Sequence, residues 1–128
     1  MPKETVNTSA APAAIGPYSQ AVRCGKFLFL SGQIPIDPVT CELVTGSIED
    51  QTNRVILNIK EILSSVGLSL NSVVKTTIFL TDLADFAAVN NIYGSYFEID
   101  PPARSTIQVA GLPKGANVEI EVIAAAYG

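Results

Sequence analysis

Three charged residues stand in apolar, strand-like sequence near the end of the chain: Arg104, Glu119 and Glu121. Isolated charges are costly to bury, so charges in such segments are informative. The guanidinium of Arg104 offers a planar fork of donors that matches a carboxylate, and the preceding pair Pro101 and Pro102 restricts the backbone that carries it. Two interpretations of Arg104 stay open: an anion-binding group, or a solvated strand end or half of a structural ion pair.

The alternation of residue types predicts which of these side chains share a face. Successive strand side chains point to opposite faces, so Arg104, Thr106 and Gln108 are predicted to lie together. In the last strand-like segment Glu119 and Glu121 are predicted to share one face, with the interleaved aliphatic side chains on the other. Glu119 is consistent with a solvated edge charge or with a functional carboxylate, whereas Glu121 is interpreted as structural.

The composition favours a domain that buries part of its surface against other chains. The 128 residues are predicted to form a single domain over residues 1–128, long enough to bury about two thirds of the unfolded surface. Charged residues make up only 16% of the chain, against about 25% in typical soluble domains. Because so few charges would cover a small monomer poorly, we predict a closed symmetric oligomer.

Several classes of protein are disfavoured by the composition. The net charge is −4 and the sequence has no Lys/Arg cluster, which weighs against a dedicated nucleic-acid binder because such binding depends on neutralising phosphates. The chain has no His, and Cys24 and Cys41 lack the spacing of a zinc or redox motif, so no metal or cofactor is predicted. No signal peptide or membrane-length apolar run is recognisable, and we expect a cytoplasmic protein.

The order of the predicted elements indicates an α+β fold. Apolar periodicity and turn residues predict strands over 21–25, 27–31 and 72–81, helices over 47–66 and 83–97, and two final strands. Strand–helix–strand units favour parallel pairing, so we predict a single mixed β-sheet with two helices on one face. From the residues alone, a hairpin over 111–116 is expected to join the last two strands.

Five motifs occur in order along the chain. They are IGPYSQAV, LSGQIPIDP, QTNRVILNIKEIL, VVKTTIFLTDLADFAAVNNIY and PPARSTIQVAGLPKGANVEIEVIA. Together they cover nearly the whole chain, and with them the sequence closely resembles the RidA/YjgF family of enamine/imine deaminases. The ordered set is specific, whereas any one motif alone is not.

The resemblance implies a chorismate-mutase-like α+β fold whose last strand inserts between earlier parallel strands instead of forming a hairpin. It also implies a homotrimer with three clefts between neighbouring subunits. The implied activity is hydrolysis of 2-iminopropanoate and 2-iminobutanoate, which arise from 2-aminoacrylate and 2-aminocrotonate, to 2-keto acids and ammonia. The resemblance implies no cofactor, and an imine that water attacks readily needs little more than binding and a well-placed water.

The resemblance also implies roles for individual residues. Arg104 matches the arginine that binds the substrate carboxylate, and Glu119 matches the residue that positions the attacking water. The main chain of Thr106, where many relatives have Cys, is expected to contact that water or the substrate. The remaining predicted substrate-binding residues, some of them expected to come from the adjacent subunit, are Tyr18, Ser31, Gly32 and Asn90.

Two other functions stay open at this point. One is an endoribonuclease or translation inhibitor, a label also attached to members of this family. The acidic charge and the absence of His weigh against it. The other is a non-catalytic trimer that binds small carboxylates or acts as a chaperone. Some family members lack the arginine, whereas this chain keeps it at Arg104.

Overall fold

The computed structural model describes residues 2–126 and contains one mixed six-stranded sheet with the order β1-β2-β3-β6-β4-β5. Its strands are β1 Glu4–Val6, β2 Ala21–Cys24, β3 Phe27–Gln33, β4 Val73–Leu80, β5 Ala103–Gln108 and β6 Val118–Ala125. The α-helices are α1 Ile48–Ser64 and α2 Phe86–Tyr96, and short 3₁₀ helices cover Leu70–Ser72, Leu83–Asp85 and Pro113–Gly115. No helix within residues 2–126 is long and apolar enough to cross a membrane.

Both helices pack on one face of the sheet, which we call the helix face. The Ser47 hydroxyl caps α1 by accepting a hydrogen bond from the main-chain N–H of Asp50 at 3.1 Å, and the buried apolar stripe of α1 packs on β3 and β6. α2 packs on α1 and reaches the sheet through Tyr93, whose hydroxyl lies 2.8 Å from Oγ1 of Thr76. The prediction of an α+β fold with two helices on one face is confirmed.

The predicted hairpin over 111–116 is wrong. β6 lies between β3 and β4 and pairs antiparallel with both, whereas β5 lies at the sheet edge and pairs in parallel with β4. The physical reason is burial: alternate side chains of β6, beginning at Val118, are fully buried, whereas β5 is largely exposed. The most apolar strand therefore takes the central place, as the resemblance implied.

The apolar residues of the second predicted helix recur at helical spacing, which predicts that they all pack in the core: Phe86, Val89, Tyr93 and Phe97. One of them does not join it. Val89, Tyr93 and Phe97 are buried, whereas Phe86 is 40% exposed. A 3₁₀ turn precedes α2 and leaves Phe86 in the first turn of the α-helix, where its ring faces Arg104 of β5 instead of the core. The prediction of core packing is therefore wrong at this position.

The other face of the sheet, which we call the open face, is not covered by any helix or strand within residues 2–126. Three large apolar side chains on it, Phe27, Phe29 and Ile107, are 48%, 45% and 46% exposed. Exposed apolar surface of this kind is typical of contacts between chains. The observation agrees with the low charge content of the sequence.

Candidate active site

Arg104 lies on the helix face of the edge strand β5, level with Thr76 of β4. Its Nη1 donates a hydrogen bond to Oδ1 of Asn90 at 2.7 Å. The guanidinium carbon lies 5.6 Å from the ring centre of Phe86 and 5.0 Å from that of Tyr93. Three side chains of a single helix therefore surround the guanidinium.

The remaining donors of Arg104 are available to a ligand. Among residues 2–126, Asn90 is the only hydrogen-bond partner of the Arg104 side chain, and it occupies Nη1. Neither Nε nor Nη2 is buried without a partner. These two nitrogens form one edge of the guanidinium, which can hold a carboxylate with two parallel hydrogen bonds. Because the amide of Asn90 is neutral, it leaves the positive charge of Arg104 uncompensated.

Thr106 shares the helix face with Arg104 and pairs with Ile78 of β4. Its hydroxyl oxygen is buried and has no hydrogen-bond partner among the described residues, which is uncommon for a buried polar group. Because β5 is an edge strand, alternate main-chain groups on its outer side have no strand partner among the described residues.

Glu119 lies on the open face of β6, opposite Phe79 of β4. Partial burial and, to a lesser degree, the negative charge of Glu121 raise the pKa of its carboxyl group. Gly32 of β3 makes room for it, because a Cβ atom at this position would lie 2.5 Å from Oε2 of Glu119. The carboxylate is therefore seated against the main chain of β3.

Ser31 fixes the loop that carries Tyr18. Its hydroxyl donates a hydrogen bond to the main-chain oxygen of Ser19 at 2.6 Å. The Tyr18 hydroxyl accepts a hydrogen bond from the main-chain N–H of Ile15 at 3.3 Å, while the side chain stays largely exposed. Ser31 thus holds the loop, and Tyr18 presents its ring beside the end of β3.

A cleft of about 660 Å³ joins part of the predicted site, and we call it the Glu119 cleft. Residues that line it include Tyr18, Ser31, Gly32, Glu119, Glu121 and Lys114. The other predicted site residues are those on the helix face, which we call the Arg104 group: Arg104, Asn90 and Thr106. One chain therefore carries the predicted residues in two separate groups.

Two residues of the Glu119 cleft were missed from the sequence. Gln20 is buried, and its side chain accepts a hydrogen bond from the main-chain N–H of Thr8 at 2.7 Å and donates one to the oxygen of Pro12 at 2.8 Å. Lys114 lines the cleft with a left-handed backbone, φ 58°. A polar residue directly before a strand was the available signal for Gln20, whereas no signal from residue type alone marks Lys114.

The register of the sheet keeps Arg104 and Glu119 apart. Arg104 is level with Thr76 and Glu119 with Phe79, on two strands that flank β4. With about 3.3 Å per residue and about 4.8 Å between strands, their Cα atoms are about 14 Å apart. Their side chains also point to opposite faces, so one chain alone does not bring both groups to one small ligand.

Residues 8–126 match the family model of endoribonuclease L-PSP. The chain belongs to this family, the RidA/YjgF family. It is 55% identical over 122 residues to Reactive Intermediate Deaminase A, chloroplastic, of Arabidopsis thaliana, an alignment that covers 95% of this chain and 65% of that protein. It is 47% identical over 122 residues to the 2-iminobutanoate/2-iminopropanoate deaminase of Mus musculus. That alignment covers 95% of this chain and 90% of the mouse protein. The crystal structure of E. coli TdcF with bound serine has a TM-score of 0.92 and 42% identity, covering 97% of this chain and 99% of that one.

Membership of the L-PSP family confirms the resemblance that the five motifs carried. In the part of this family member that the structure describes, no group of three or more His, Cys, Asp or Glu side chains could hold a metal ion. The chemical groups at hand are the guanidinium of Arg104, the carboxylates of Glu119 and Glu121, and the phenol of Tyr18. Such a set can bind a small acid and orient a water molecule.

Proposed function

We propose that the protein is an enamine/imine deaminase that hydrolyses 2-iminopropanoate and 2-iminobutanoate to 2-keto acids and ammonia. The observation that carries the proposal is the environment of Arg104. Its guanidinium contacts three side chains of α2, and its Nε–Nη2 edge makes no hydrogen bond within residues 2–126. The names of the Arabidopsis and mouse relatives support the reaction. The serine bound to E. coli TdcF supports a small carboxylate as the ligand.

The proposed chemistry divides between two groups. Arg104 binds the substrate carboxylate, and Glu119 orients a water molecule toward the imine carbon and accepts its proton. The water oxygen forms a bond to this carbon while the electron pair of the C=N bond moves to nitrogen, which takes up a proton. In the resulting carbinolamine the hydroxyl proton moves through Glu119 to nitrogen. The C–N bond then breaks with its electron pair leaving on ammonia, while the hydroxyl oxygen forms the C=O bond of the 2-keto acid.

The proposed assembly is a homotrimer in which each site is shared between neighbours. Arg104 and Glu119 point to opposite faces of one chain, so Arg104 of one copy meets the Glu119 cleft of the next. The exposed apolar side chains of the open face support contact between copies. The partner copy therefore completes the site and does more than stabilise it.

The other predicted site residues take supporting places in this proposal. Tyr18 and Gly32 shape the wall around Glu119, and Ser31 holds the Tyr18 loop. Asn90 and the main chain of Thr106 lie beside Arg104 in the Arg104 group. We also propose a cytoplasmic location, because Cys24 and Cys41 are exposed free thiols, which suits a reducing compartment.

The test is an imine assay. 2-Aminoacrylate is generated in situ by a pyridoxal-phosphate dehydratase, and pyruvate formation is followed with and without the protein. We expect the wild type to accelerate the reaction and Arg104→Ala to lower kcat/KM by at least about a hundredfold, because charge-assisted hydrogen bonds contribute about 1.5–3 kcal/mol each.

The matched control is Arg54→Ala, because Arg54 bonds to Asn58 within α1 at 3.1 Å and lies outside both groups. This variant is expected to keep the wild-type rate. Equal pyruvate formation with and without wild-type protein would contradict the proposed reaction. Binding of 2-ketobutyrate by calorimetry without any turnover would instead identify a non-catalytic carboxylate-binding module.

A further inference from the structure

The contacts of Arg104 come from one face of one helix. Phe86, Asn90 and Tyr93 are spaced by four and three residues along α2, which places them on the same side of the helix. Asn90 accepts from Nη1 of Arg104 at 2.7 Å, and the two rings lie 5.6 and 5.0 Å from the guanidinium carbon. Asn90 was identified from the sequence, whereas the two aromatic residues were interpreted only as core packing.

Tyr93 is held by two specific contacts in addition to its burial. It is only 5% exposed, and its hydroxyl is 2.8 Å from Oγ1 of Thr76, the residue level with Arg104 on the neighbouring strand. Its ring also packs against Phe97, with ring centres 4.5 Å apart. The ring beneath Arg104 is therefore held from the strand side and from the end of α2.

Phe86 contributes from the solvent side. Its side chain is 40% exposed although the spacing of the sequence places Phe86 in the apolar stripe of the helix. An exposed ring gains little from burial, whereas a cation beside an aromatic face is attracted by the ring. The position of Phe86 is thus explained better by its contact with Arg104 than by the core.

We propose that Phe86 and Tyr93 are positioning residues that hold the guanidinium of Arg104 against Asn90, so that its Nε–Nη2 edge stays turned outward to receive a planar carboxylate. The identity of the carboxylate rests on the proposed function, but the positioning does not. The alternative is that both rings are ordinary packing residues and that Arg104 is mobile until a ligand orders it.

Arg54 provides an internal comparison. It too donates to an asparagine, since its Nε lies 3.1 Å from Oδ1 of Asn58. Asn58 is four residues further along the same helix, and no aromatic ring faces Arg54 among the cation–ring contacts of the described residues. Arg54 therefore shares the amide contact of Arg104 but lacks the rings.

The experiment measures side-chain order of the arginines by ¹⁵N relaxation in the full-length, ligand-free protein. The sequence contains only three arginines, and Arg104→Lys identifies the Arg104 signal by its loss. We expect an Nε order parameter of about 0.8 for Arg104 in the wild type, falling below about 0.6 in Tyr93→Leu. Tyr93→Phe keeps the ring and is expected to retain the wild-type value, while the Arg54 signal stays unchanged throughout.

A second readout is the affinity for 2-ketobutyrate by calorimetry. Tyr93→Leu is expected to weaken binding about tenfold and Phe86→Leu about threefold, with no further loss when either is combined with Arg104→Lys. Phe86 lies at a half-exposed position, so Phe86→Leu tests the proposal even if Tyr93→Leu fails to fold.

The outcomes separate this proposal from the proposed function. An Arg104 order parameter unchanged in folded Tyr93→Leu and Phe86→Leu overturns the positioning role. Losses of affinity that add fully to that of Arg104→Lys do the same, because they show that the rings do not act through Arg104. A wild type that lacks imine turnover but shows the expected order parameters overturns the reaction and leaves the positioning role standing.

Discussion

The two faces of the sheet hold their functional groups in different ways. On the helix face, Arg104 is surrounded by three side chains of α2 and keeps its charge uncompensated. On the open face, Glu119 is half-buried against Gly32, and both its burial and the neighbouring Glu121 raise its pKa. The helix face therefore suits rigid binding of an anion, whereas the open face suits proton transfer at a cleft that another copy can close.

The largest effect that separates the two faces is expected from Glu119→Gln. If Glu119 activates water, kcat for imine hydrolysis should fall about a hundredfold. The Kd for 2-ketobutyrate should change less than about threefold, because in our proposal Arg104 binds the carboxylate. Stopped-flow rates and calorimetry on the same preparation give both numbers. A parallel loss in rate and affinity would contradict the division of roles.

A smaller effect is expected from Gly32→Ala. The added Cβ would lie 2.5 Å from Oε2 of Glu119, and because a carboxylate on a flexible side chain can move aside, the fold should survive while kcat falls about tenfold. The matched control is Gly94→Ala, where nothing lies within 4 Å of the added Cβ. That variant should keep its activity and gain up to about 1 kcal/mol in stability to denaturant.

Glu121→Gln tests the electrostatics of the open face. Removing its charge takes away one of the two causes that raise the pKa of Glu119 and leaves the larger cause, burial. Since the carboxylate form of Glu119 is the active one in our proposal, the acid limb of kcat against pH should move to lower pH. An acid limb that does not move in Glu121→Gln would contradict the assignment. Lys114→Gln, which removes a positive charge that lines the same cleft, is measured beside it.

The smallest expected effect is on stability. A raised carboxyl pKa means that folding is favoured at low pH and that stability is lost as pH rises through the folded-state pKa. Glu119→Gln should therefore raise the free energy of unfolding at pH 7 but not at pH 4. The gain should be less than about 1 kcal/mol, because a half-exposed charge is screened. Urea titrations of wild type and variant at the two pH values measure it, and a gain at pH 4 alone would oppose this account.

The sequence was sufficient for what depends on local pattern. The alternation around Ile120 predicted the two faces of β6, and the apolar stripe of α1 predicted its buried side. It was not sufficient for the partners of β6, because two consecutive strand patterns fit a hairpin as well as an insertion. Pairing within the whole sheet decides between them, and the residues alone favoured the wrong one.

The candidate site shows the same boundary between local and long-range information. The alternation in each strand predicts which face of that strand carries Arg104 or Glu119. The distance between the two residues depends instead on how both strands pair with β4. The exposure of Phe86 depends on a neighbour, Arg104, that is distant in sequence. Gln20 was missed because its partners in residues 8–12 belong to an irregular segment without periodicity.

The most direct test of a site shared between copies is complementation of two inactive variants. Arg104→Ala and Glu119→Gln chains carrying different tags are co-expressed in equal amounts, and the mixed assemblies are isolated through both tags. In a closed ring of three that contains both kinds of chain, one of the three clefts, about a third, combines an intact Arg104 from one copy with an intact Glu119 from its neighbour. The account predicts that imine hydrolysis returns to roughly that fraction of the wild-type rate, and mixed assemblies as inactive as the two parent variants would contradict it.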